Sequence, residues 1–403
     1  MRVAVFEPEA EGHHLALYTR AILTEMVARD WEVELVTTKR ATDHPAFGCI
    51  LPLIGEQVRV SYMADHPTRD GARDLERLRD QFKRFANYRN AFRALPAVDA
   101  VFMVNLDQAD LPMAVLGSPY GSTPLVGILI GRQFHIHEAG IKAGPLKRRD
   151  KLMRPIFQRM LKIRSLKRVL VVDESFAMWA AKSDFPGAKK VGYLPDVASF
   201  KPLEGSHSPR VELGIPADAI VLLLYGALSE RKGVADAIAA VAHPECPERV
   251  CLLLAGGQDA FVREAMVGPS ATSLRARGRL FELNRFLDDE DESRAFQAAD
   301  LVWLGYRHWF GSSGVLLQAA TAGRAVLAMD QGVVGWLVDR HNFGFSIDTT
   351  DPKAVAECLA TVVQNPAILG TFQLAGRELA AKHTPKLFGE HVCNEIAAVA
   401  RLK

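Results

Sequence analysis

Two adjacent cations, Arg231 and Lys232, stand between a predicted strand at 220–225 and a helix predicted to begin near Gly233. The free N–H groups at a helix start, together with two cations, form a binding site for a diphosphate. Open α/β sheets bind their ligands beyond the carboxyl ends of the strands, which is where this loop lies. We therefore interpret Arg231 and Lys232 as diphosphate-binding residues rather than as ordinary surface charge.

A second loop with phosphate-binding character runs from Gly311 to Gly314. Ser312 or Ser313 can cap a helix whose apolar positions begin at Val315, and the two glycines let a ligand approach the backbone closely. The unpaired N–H groups of the first helical turn, at the positive end of the helix dipole, suit a phosphate. The alternative is an ordinary strand–loop–helix unit with a glycine-rich turn.

Four histidines follow predicted strands. His13 and His14 come after the first strand, and His135 and His137 come after a later one. A histidine at such a place can act as a general base or contact a sugar. For His14 we favour helix capping or packing, so His13 and His135 are the candidates for catalysis. The alternative for His135 and His137 is a loop histidine that hydrogen-bonds to the backbone.

Other chemistries find little support in the sequence. The first loop has one glycine, Gly12, and lacks the GxGxxG pattern, which weakens a nicotinamide or flavin site. The five cysteines are scattered without zinc-site spacing, and their odd number argues against a disulfide framework. The carboxylates from Asp288 to Glu292 are consecutive rather than convergent, so they suit helix capping better than a metal ion. We expect neither a metal nor a cofactor.

Strands alternate with helices in both halves of the chain. A length of 403 residues favours two domains, and 49% hydrophobic with 24% charged residues is ordinary for an α/β protein. We predict two Rossmann-like, doubly wound α/β domains that face each other across a cleft, over 1–200 and 201–382. Residues 184–210, rich in proline, glycine and serine, form the predicted linker. Residues 383–403 form a last helix that can pack back on the first domain.

Residues 145–168 carry ten Lys or Arg and one acid, and their apolar residues share a helical face. This pattern indicates either a surface helix that touches an anionic membrane or a solvated basic face whose apolar side lies on the core. A nucleic-acid partner is less favoured, because no aromatic residues interleave with the charge. The first residues do not resemble a signal peptide, and no apolar run approaches the length of a membrane span. We expect a cytoplasmic protein, with peripheral attachment to the inner face of the membrane as an open alternative.

Five segments follow one another over roughly 218–366: GALSERKG, LLLAGG, AADLVWLGY, GSSGVLLQAATAGRAVLAMDQG and DPKAVAECLATVVQNP. In their order and spacing they resemble glycosyltransferase family 4, the retaining, nucleotide-sugar-dependent "group 1" enzymes of GT-B fold. The first half resembles the family more loosely, in the EGHH loop, the strand before His135 and the basic helix.

The resemblance implies roles for several residues. Lys232 resembles the family's diphosphate-binding lysine, while Ala227 stands where the family has a partner arginine, for which Arg231 can substitute. Gly12 resembles the glycine beside the donor phosphates, and His135 resembles a first-domain histidine near the transferred sugar.

The family's two glutamates, separated by seven residues, are both absent as acids. Gln318 stands at the second, which contacts the nucleotide ribose in the family, and a glutamine can still hydrogen-bond a hydroxyl group. Phe310 stands at the first, and a loop longer by two residues would place His308 there. Asn284 and Arg285, near the end of a predicted strand, are further candidates to contact the nucleotide ribose or base.

The resemblance implies retaining, metal-independent transfer of a sugar from a nucleotide diphospho-sugar to a sugar, lipid-linked or small-molecule acceptor. The donor would bind the second domain and the acceptor the first. Charge on the leaving diphosphate would be stabilised by Lys232, Arg231 and the helix start at Ser312–Gly314. Two alternatives are a GT-B sugar-nucleotide epimerase and a catalytically inactive binding or scaffold subunit, which Phe310 and Gln318 would suit.

Overall fold

The chain forms two compact units, each described here by itself. The computed structural model describes residues 1–9, 14–65, 74–146, 148–203 and 208–401. The first unit holds residues 1–139, 145–197 and 384–403, and the second holds 140–144 and 198–383.

Both units are built on parallel strands. The strands of the described residues are β1 Arg2–Phe6, β2 Glu32–Thr37, β3 Val58–Tyr62, β4 Ala100–Met103, β5 Leu125–Leu129, β6 Leu166–Val171, β7 Val191–Tyr193, β8 Ile220–Tyr225, β9 Val250–Ala255, β10 Leu280–Leu283, β11 Leu301–Leu304, β12 Ala325–Met329 and β13 Gly344–Ile347. The first sheet has the order β3-β2-β1-β4-β5-β6-β7, and the second has the order β10-β9-β8-β11-β12-β13. In each sheet the order reverses beside the unit's first strand, next to β1 and next to β8, and such points are where doubly wound folds bind ligands.

Helices connect the strands of both sheets. In chain order they are α1 Arg20–Ala28, α2 Lys39–Thr42, α3 Asp74–Arg93, α4 Asp110–Leu116, α5 Arg148–Met160, α6 Glu174–Ala181, α7 Pro209–Glu212, α8 Val234–Val241, α9 Ala260–Met266, α10 Pro269–Ala276, α11 Asp289–Ala298, α12 Gly314–Thr321, α13 Gly332–His341, α14 Pro352–Gln364, α15 Ala367–Ala380 and α16 Pro385–Ala400. None of the helices in the described part of the chain combines the length and the apolar character that a membrane span requires.

The central strands are apolar throughout because both faces of each sheet are covered. Every residue of β4, β5, β9, β11 and β12 is buried. Two hydrophobic clusters flank the strands in each unit. The alternation of strands and helices read from the sequence therefore corresponds to two covered parallel sheets.

Several elements differ from their predicted extents. A π-helical turn, His14–Thr19, precedes α1. The basic helix predicted through residue 168 ends at Met160, because 166–171 forms β6. The predicted linker contains β7, which pairs with β6. Three of the edge strands, β3, β7 and β13, are only partly buried, so their sequences lack the continuous apolar run of a central strand.

The last helix, α16, packs on α1 within the first unit. Its residues Phe388, Val392 and Ile396 are buried in the same cluster as core residues of β1 and α1. A Cβ atom at Gly389 would lie 2.6 Å from the carbonyl oxygen of Ala21. The two helices therefore approach this closely because residue 389 has no side chain.

Replacing Gly389 by alanine should lower the free energy of unfolding by about 1–3 kcal/mol, because the added methyl group must push α16 away from α1. Gly370→Ala is the matched control, since a Cβ at this position in α15 meets open space. Helix propensity should make that control more stable by about 0.5–1 kcal/mol. Urea unfolding measures both values, and an undiminished stability of Gly389→Ala would contradict the close packing.

Candidate functional site

The loop after β8 holds the two cations predicted to bind a diphosphate. Arg231 and Lys232 lie in a 3-10 turn, Glu230–Lys232, and α8 begins only after Gly233. They therefore stand in the turn that precedes the helix rather than in its first turn. Gly233 has a φ of 67°, a left-handed conformation that glycine adopts without strain and that redirects the chain into α8.

Lys232 is a buried cation, with 7% of its surface exposed. Its Nζ donates a hydrogen bond to the carbonyl oxygen of Tyr225, and its own carbonyl accepts from Trp303 Nε1 at 2.9 Å. Burial lowers the pKa of Lys232 to about 8, and the positive charge of Arg231 adds to this effect. An ammonium has three N–H donors, so a buried Lys232 can still bind an anion and would gain from its charge.

The space for this ammonium depends on Gly226. A Cβ atom at residue 226 would lie 2.8 Å from Lys232 Nζ, and Gly226 has a φ of 93°. A side chain at this position would therefore displace the ammonium and strain the backbone. Gly226, the glycine directly after β8, is thus part of the cation site.

Arg231 links the two loops that were predicted to bind phosphate. Its guanidinium lies over the rings of Tyr306 and Trp309, at 5.3 and 5.1 Å from their centroids. Tyr306 Oη lies 2.9 Å from Ser313 Oγ, and Trp309 Nε1 donates to the carbonyl oxygen of Ser312 at 3.1 Å. The structure therefore brings Arg231, Ser312 and Ser313 together through two aromatic side chains.

The predicted serine cap of α12 is wrong. Ser313 occupies the N-cap position, but its side chain makes no capping hydrogen bond because it contacts Tyr306 instead. The helix begins at Gly314, one residue before the apolar positions start. Leu316 N donates to the Ser313 carbonyl oxygen at 3.1 Å. The N–H groups of Gly314 and Val315, which the Ser313 hydroxyl does not cap, are the ones suited to an external acceptor.

Phe310 stands at the position that corresponds to the family's first glutamate. Its carbonyl accepts from Val333 N at 2.9 Å, and a Cβ atom at Gly332 would lie 2.6 Å from Phe310 Cα. Its ring also lies close to Gly144. The backbone of Phe310 is therefore packed tightly on the start of α13, and its side chain supplies no charge.

Gln318 on α12 faces a carboxylate that the sequence did not single out. Its Nε2 donates to Glu292 Oε1, and Tyr225 Oη donates to Glu292 Oε2. The sequence placed Glu292 in an acidic capping cluster, but Asp288 alone performs the capping there, accepting from Asp291 N at 2.8 Å. Helical spacing could have identified Glu292 from the sequence, because it places this residue on the side of α11 that faces the core.

Asn284 and Arg285 already have protein partners. Asn284 lies just beyond β10, which ends at Leu283, and its Oδ1 accepts from Gln258 N at 3.3 Å. Arg285 makes a bidentate pair with Asp291, at 2.8 and 2.7 Å. Their contacts with a nucleotide stay predictions, as does that of Gln318.

In the first unit, His135 is fully buried. Its Nε2 lies 2.9 Å from Ser175 Oγ, and that hydroxyl donates to Asp173 Oδ1 at 2.6 Å. The ring packs against Phe176, with the centroids 4.8 Å apart. In this arrangement His135 contacts protein groups, and its catalytic role stays a prediction. Gly12 and His13 lie outside the described residues.

Acidic and basic groups meet at the carboxyl ends of β1, β4 and β5 in this unit. Glu7, directly after β1, is fully buried, and this burial raises its pKa to about 8. Asp107 accepts from Ile130 N at 2.6 Å and pairs with Arg132 at 3.1 Å, and Arg132 also binds Asp110. Side chains of this kind can hydrogen-bond hydroxyl groups. Glu7 and Arg132 are not among the residues predicted from the sequence, although Glu7 directly follows β1 and Arg132 lies in the loop after β5.

Among the residues that the structure describes, no group of three or more His, Cys, Asp or Glu side chains is placed to hold a metal ion.

Comparison with known proteins shows that the cation site lies in a segment that is similar to a known family. Residues 219–365 match the family described as Glycosyl transferases group 1. A D-inositol 3-phosphate glycosyltransferase of Corynebacterium efficiens is 31% identical to this chain over the aligned residues. The alignment covers 42% of this chain and 41% of that relative's length.

Two solved structures share the fold over nearly the whole chain. Sucrose-phosphate synthase from Thermosynechococcus elongatus covers 100% of both chains with a TM-score of 0.71 and 16% identity. Anabaena HepE, solved in complex with UDP-glucose, covers 99% of this chain and 100% of its own, with a TM-score of 0.65 and 17% identity. The α/β fold predicted from the sequence is confirmed: the protein has two Rossmann-like units of GT-B fold, and residues 219–365 of the second match the group 1 glycosyl transferase family.

Proposed function

We propose that this protein is a retaining glycosyltransferase that moves a sugar from a nucleotide diphospho-sugar to a hydroxyl group of an acceptor, without a metal ion. The observation that carries the proposal is the buried ammonium of Lys232 beyond the carboxyl end of β8, inside the segment that matches group 1 glycosyl transferases. A cation at that point is suited to the diphosphate of a donor.

The proposed reaction breaks the bond between the anomeric carbon and the diphosphate oxygen. A new bond forms between that carbon and the acceptor oxygen on the same face of the sugar, and the acceptor proton passes to the departing phosphate oxygen. The barrier is lowered by groups that stabilise the charge on the diphosphate. Lys232 and the first-turn N–H groups of α12 would supply this stabilisation, with Arg231 held nearby on Tyr306 and Trp309.

The acceptor would bind the first unit, where Glu7 and the Asp107–Arg132–Asp110 cluster follow neighbouring strands. Because its pKa is about 8, the Glu7 carboxyl is mostly protonated at neutral pH and can donate as well as accept a hydrogen bond. Such groups suit the hydroxyls of a sugar, a lipid-linked glycan or a small polyol.

A catalytically inactive binding subunit is the second candidate function. It is favoured by Phe310 and Gln318, which stand at the positions where the resemblance implies glutamates. Turnover of the donor distinguishes the two functions, since both require donor binding.

A panel of nucleoside diphosphates and nucleotide sugars should raise the melting temperature selectively for one base and its sugar, because a ligand of the folded state stabilises it. Slow release of free nucleotide from that nucleotide sugar would support transfer to water in the absence of an acceptor. Binding without any release, with acceptors present, would favour the inactive subunit. No shift with any member of the panel would contradict both functions.

Affinity for the selected nucleoside diphosphate should fall as the pH rises through 8, because Lys232 must be protonated to bind the anion and its pKa in the free protein is about 8. Lys232→Arg should flatten this profile, since a guanidinium stays charged. At pH 7, Lys232→Ala should weaken binding roughly tenfold or more, as expected for loss of a hydrogen bond between charged groups. Lys353→Ala, at an exposed lysine of α14, is the control for loss of one positive charge. An affinity that Lys232→Ala leaves unchanged would remove Lys232 from the site.

We also propose that the first unit attaches peripherally to an anionic membrane at the inner face, through the outer side of α5 and the end of α4. Met153 and Phe157 of α5 are buried in the core, whereas Lys151 and Leu152 are exposed, with Leu152 at 64%. Val115 and Leu116 at the end of α4 are exposed as well. Exposed apolar side chains among cations are typical of surfaces that bind anionic lipid.

Vesicles that contain anionic lipid should sediment the protein at low salt and release it as salt rises, because screening weakens surface attraction. Leu152→Ser should reduce the bound fraction by removing an apolar contact with the lipid. Leu374→Ser, which alters a leucine of α15 that is 61% exposed, should leave it unchanged. Failure to sediment at low salt would contradict the membrane proposal and leave the transferase proposal untouched.

A further inference from the structure

One residue, Tyr225, joins a cation and a carboxylate at the end of β8. Its carbonyl oxygen accepts a hydrogen bond from Lys232 Nζ, and its hydroxyl donates to Glu292 Oε2. The cation and the carboxylate are thus separated by the length of one tyrosine. They stand beside the point at which the strand order of the second sheet reverses.

Glu292 is held in place by two neutral donors. Tyr225 Oη and Gln318 Nε2 each bind one of its two oxygens. Burial raises the pKa of Glu292, and the negative charge of Asp289 adds to the increase. A carboxylate has about four acceptor sites, so two hydroxyl donors can still bind it alongside Tyr225 and Gln318.

Glu292 is not needed to begin its helix. The cap of α11 comes from Asp288, and Arg285 and Arg294 pair with Asp291. Among the acids of this segment, Glu292 is the one that reaches across to β8 and α12. The position of Glu292 is therefore explained by its hydrogen bonds with Tyr225 and Gln318 rather than by helix capping.

We infer that Glu292 accepts hydrogen bonds from the vicinal 2′- and 3′-hydroxyl groups of the ribose of a nucleotide whose diphosphate lies against Lys232. The inference rests on the proposed function, because it takes the diphosphate site at Lys232 as given. Two neighbouring hydroxyls match the two oxygens of one carboxylate, and a ribose 5′-diphosphate carries that pair and the anion at opposite ends. Gln318, whose amide binds Glu292, is then a positioning residue, and the negative charge at this subsite comes from α11 instead of α12.

The test compares the affinity of the full chain for the nucleoside diphosphate that stabilises it most with its affinity for the 2′,3′-dideoxy form of that nucleotide. The unsubstituted protein should bind the dideoxy form roughly tenfold to a hundredfold more weakly, because hydrogen bonds to a charged group are lost. Glu292→Gln should weaken binding of the ribose form by a similar factor and leave the dideoxy form nearly unchanged. The variant should therefore bind the two nucleotides alike.

Two further variants are the controls for this comparison. Glu290→Gln removes the same charge from an exposed position of α11 that pairs with Arg294, and it should leave both affinities unchanged. The double variant Glu292→Gln with Gln318→Glu returns a carboxylate to the neighbouring position and should restore the preference for the ribose form. Restoration would also show that the substituted unit is folded.

The outcomes separate this inference from the proposal on which it rests. Equal weakening of both nucleotides by Glu292→Gln, or an undiminished preference for the ribose form, would overturn the role of Glu292 while the diphosphate site stood. An unsubstituted protein that binds no nucleoside diphosphate would remove the proposed function, and this inference with it.

Discussion

The second unit depends on keeping a positive charge where the surrounding chain has excluded most of the water. Lys232 is almost fully buried, and an uncompensated ammonium in such a place costs free energy. Its neighbours limit that cost: the Tyr225 carbonyl accepts from it, and the side-chain-free Gly226 makes room for it. The lowered pKa of Lys232 indicates that this compensation is incomplete. A bound anion would complete it, which explains why stability and ligand binding should be linked at this residue.

The groups around Lys232 form a connected set rather than separate contacts. Trp303 fixes the lysine backbone, Arg231 lies over Tyr306 and Trp309, and Tyr306 meets Ser313 at the start of α12. The loops after β8 and after β11 thus hold one another in place. Preorganisation of this kind lets an electrostatic site act without rearranging when charge develops on the ligand.

The sequence predicted best those features that depend on position along the chain. Polar residues in the loops that follow apolar strands, such as Lys232 after β8, lie at the carboxyl edge of a sheet because the strands are parallel. Features that depend on pairing between distant segments could not be predicted. The cap by Ser313 was wrong because Tyr306 competes for its hydroxyl, and Glu292 was overlooked because its partners, Tyr225 and Gln318, come from two other elements. The basic helix is shorter than predicted, because β6 begins within the same run of basic residues.

The placement of α16 has a consequence for how the chain is made. This helix covers apolar residues of α1, yet it leaves the ribosome long after α1 itself. All residues of the second unit, through 383, are synthesised before it. The second unit can therefore complete its core during translation, whereas the first unit carries an uncovered hydrophobic surface until α16 emerges. During that interval the nascent first unit is the part that chaperones would have to protect.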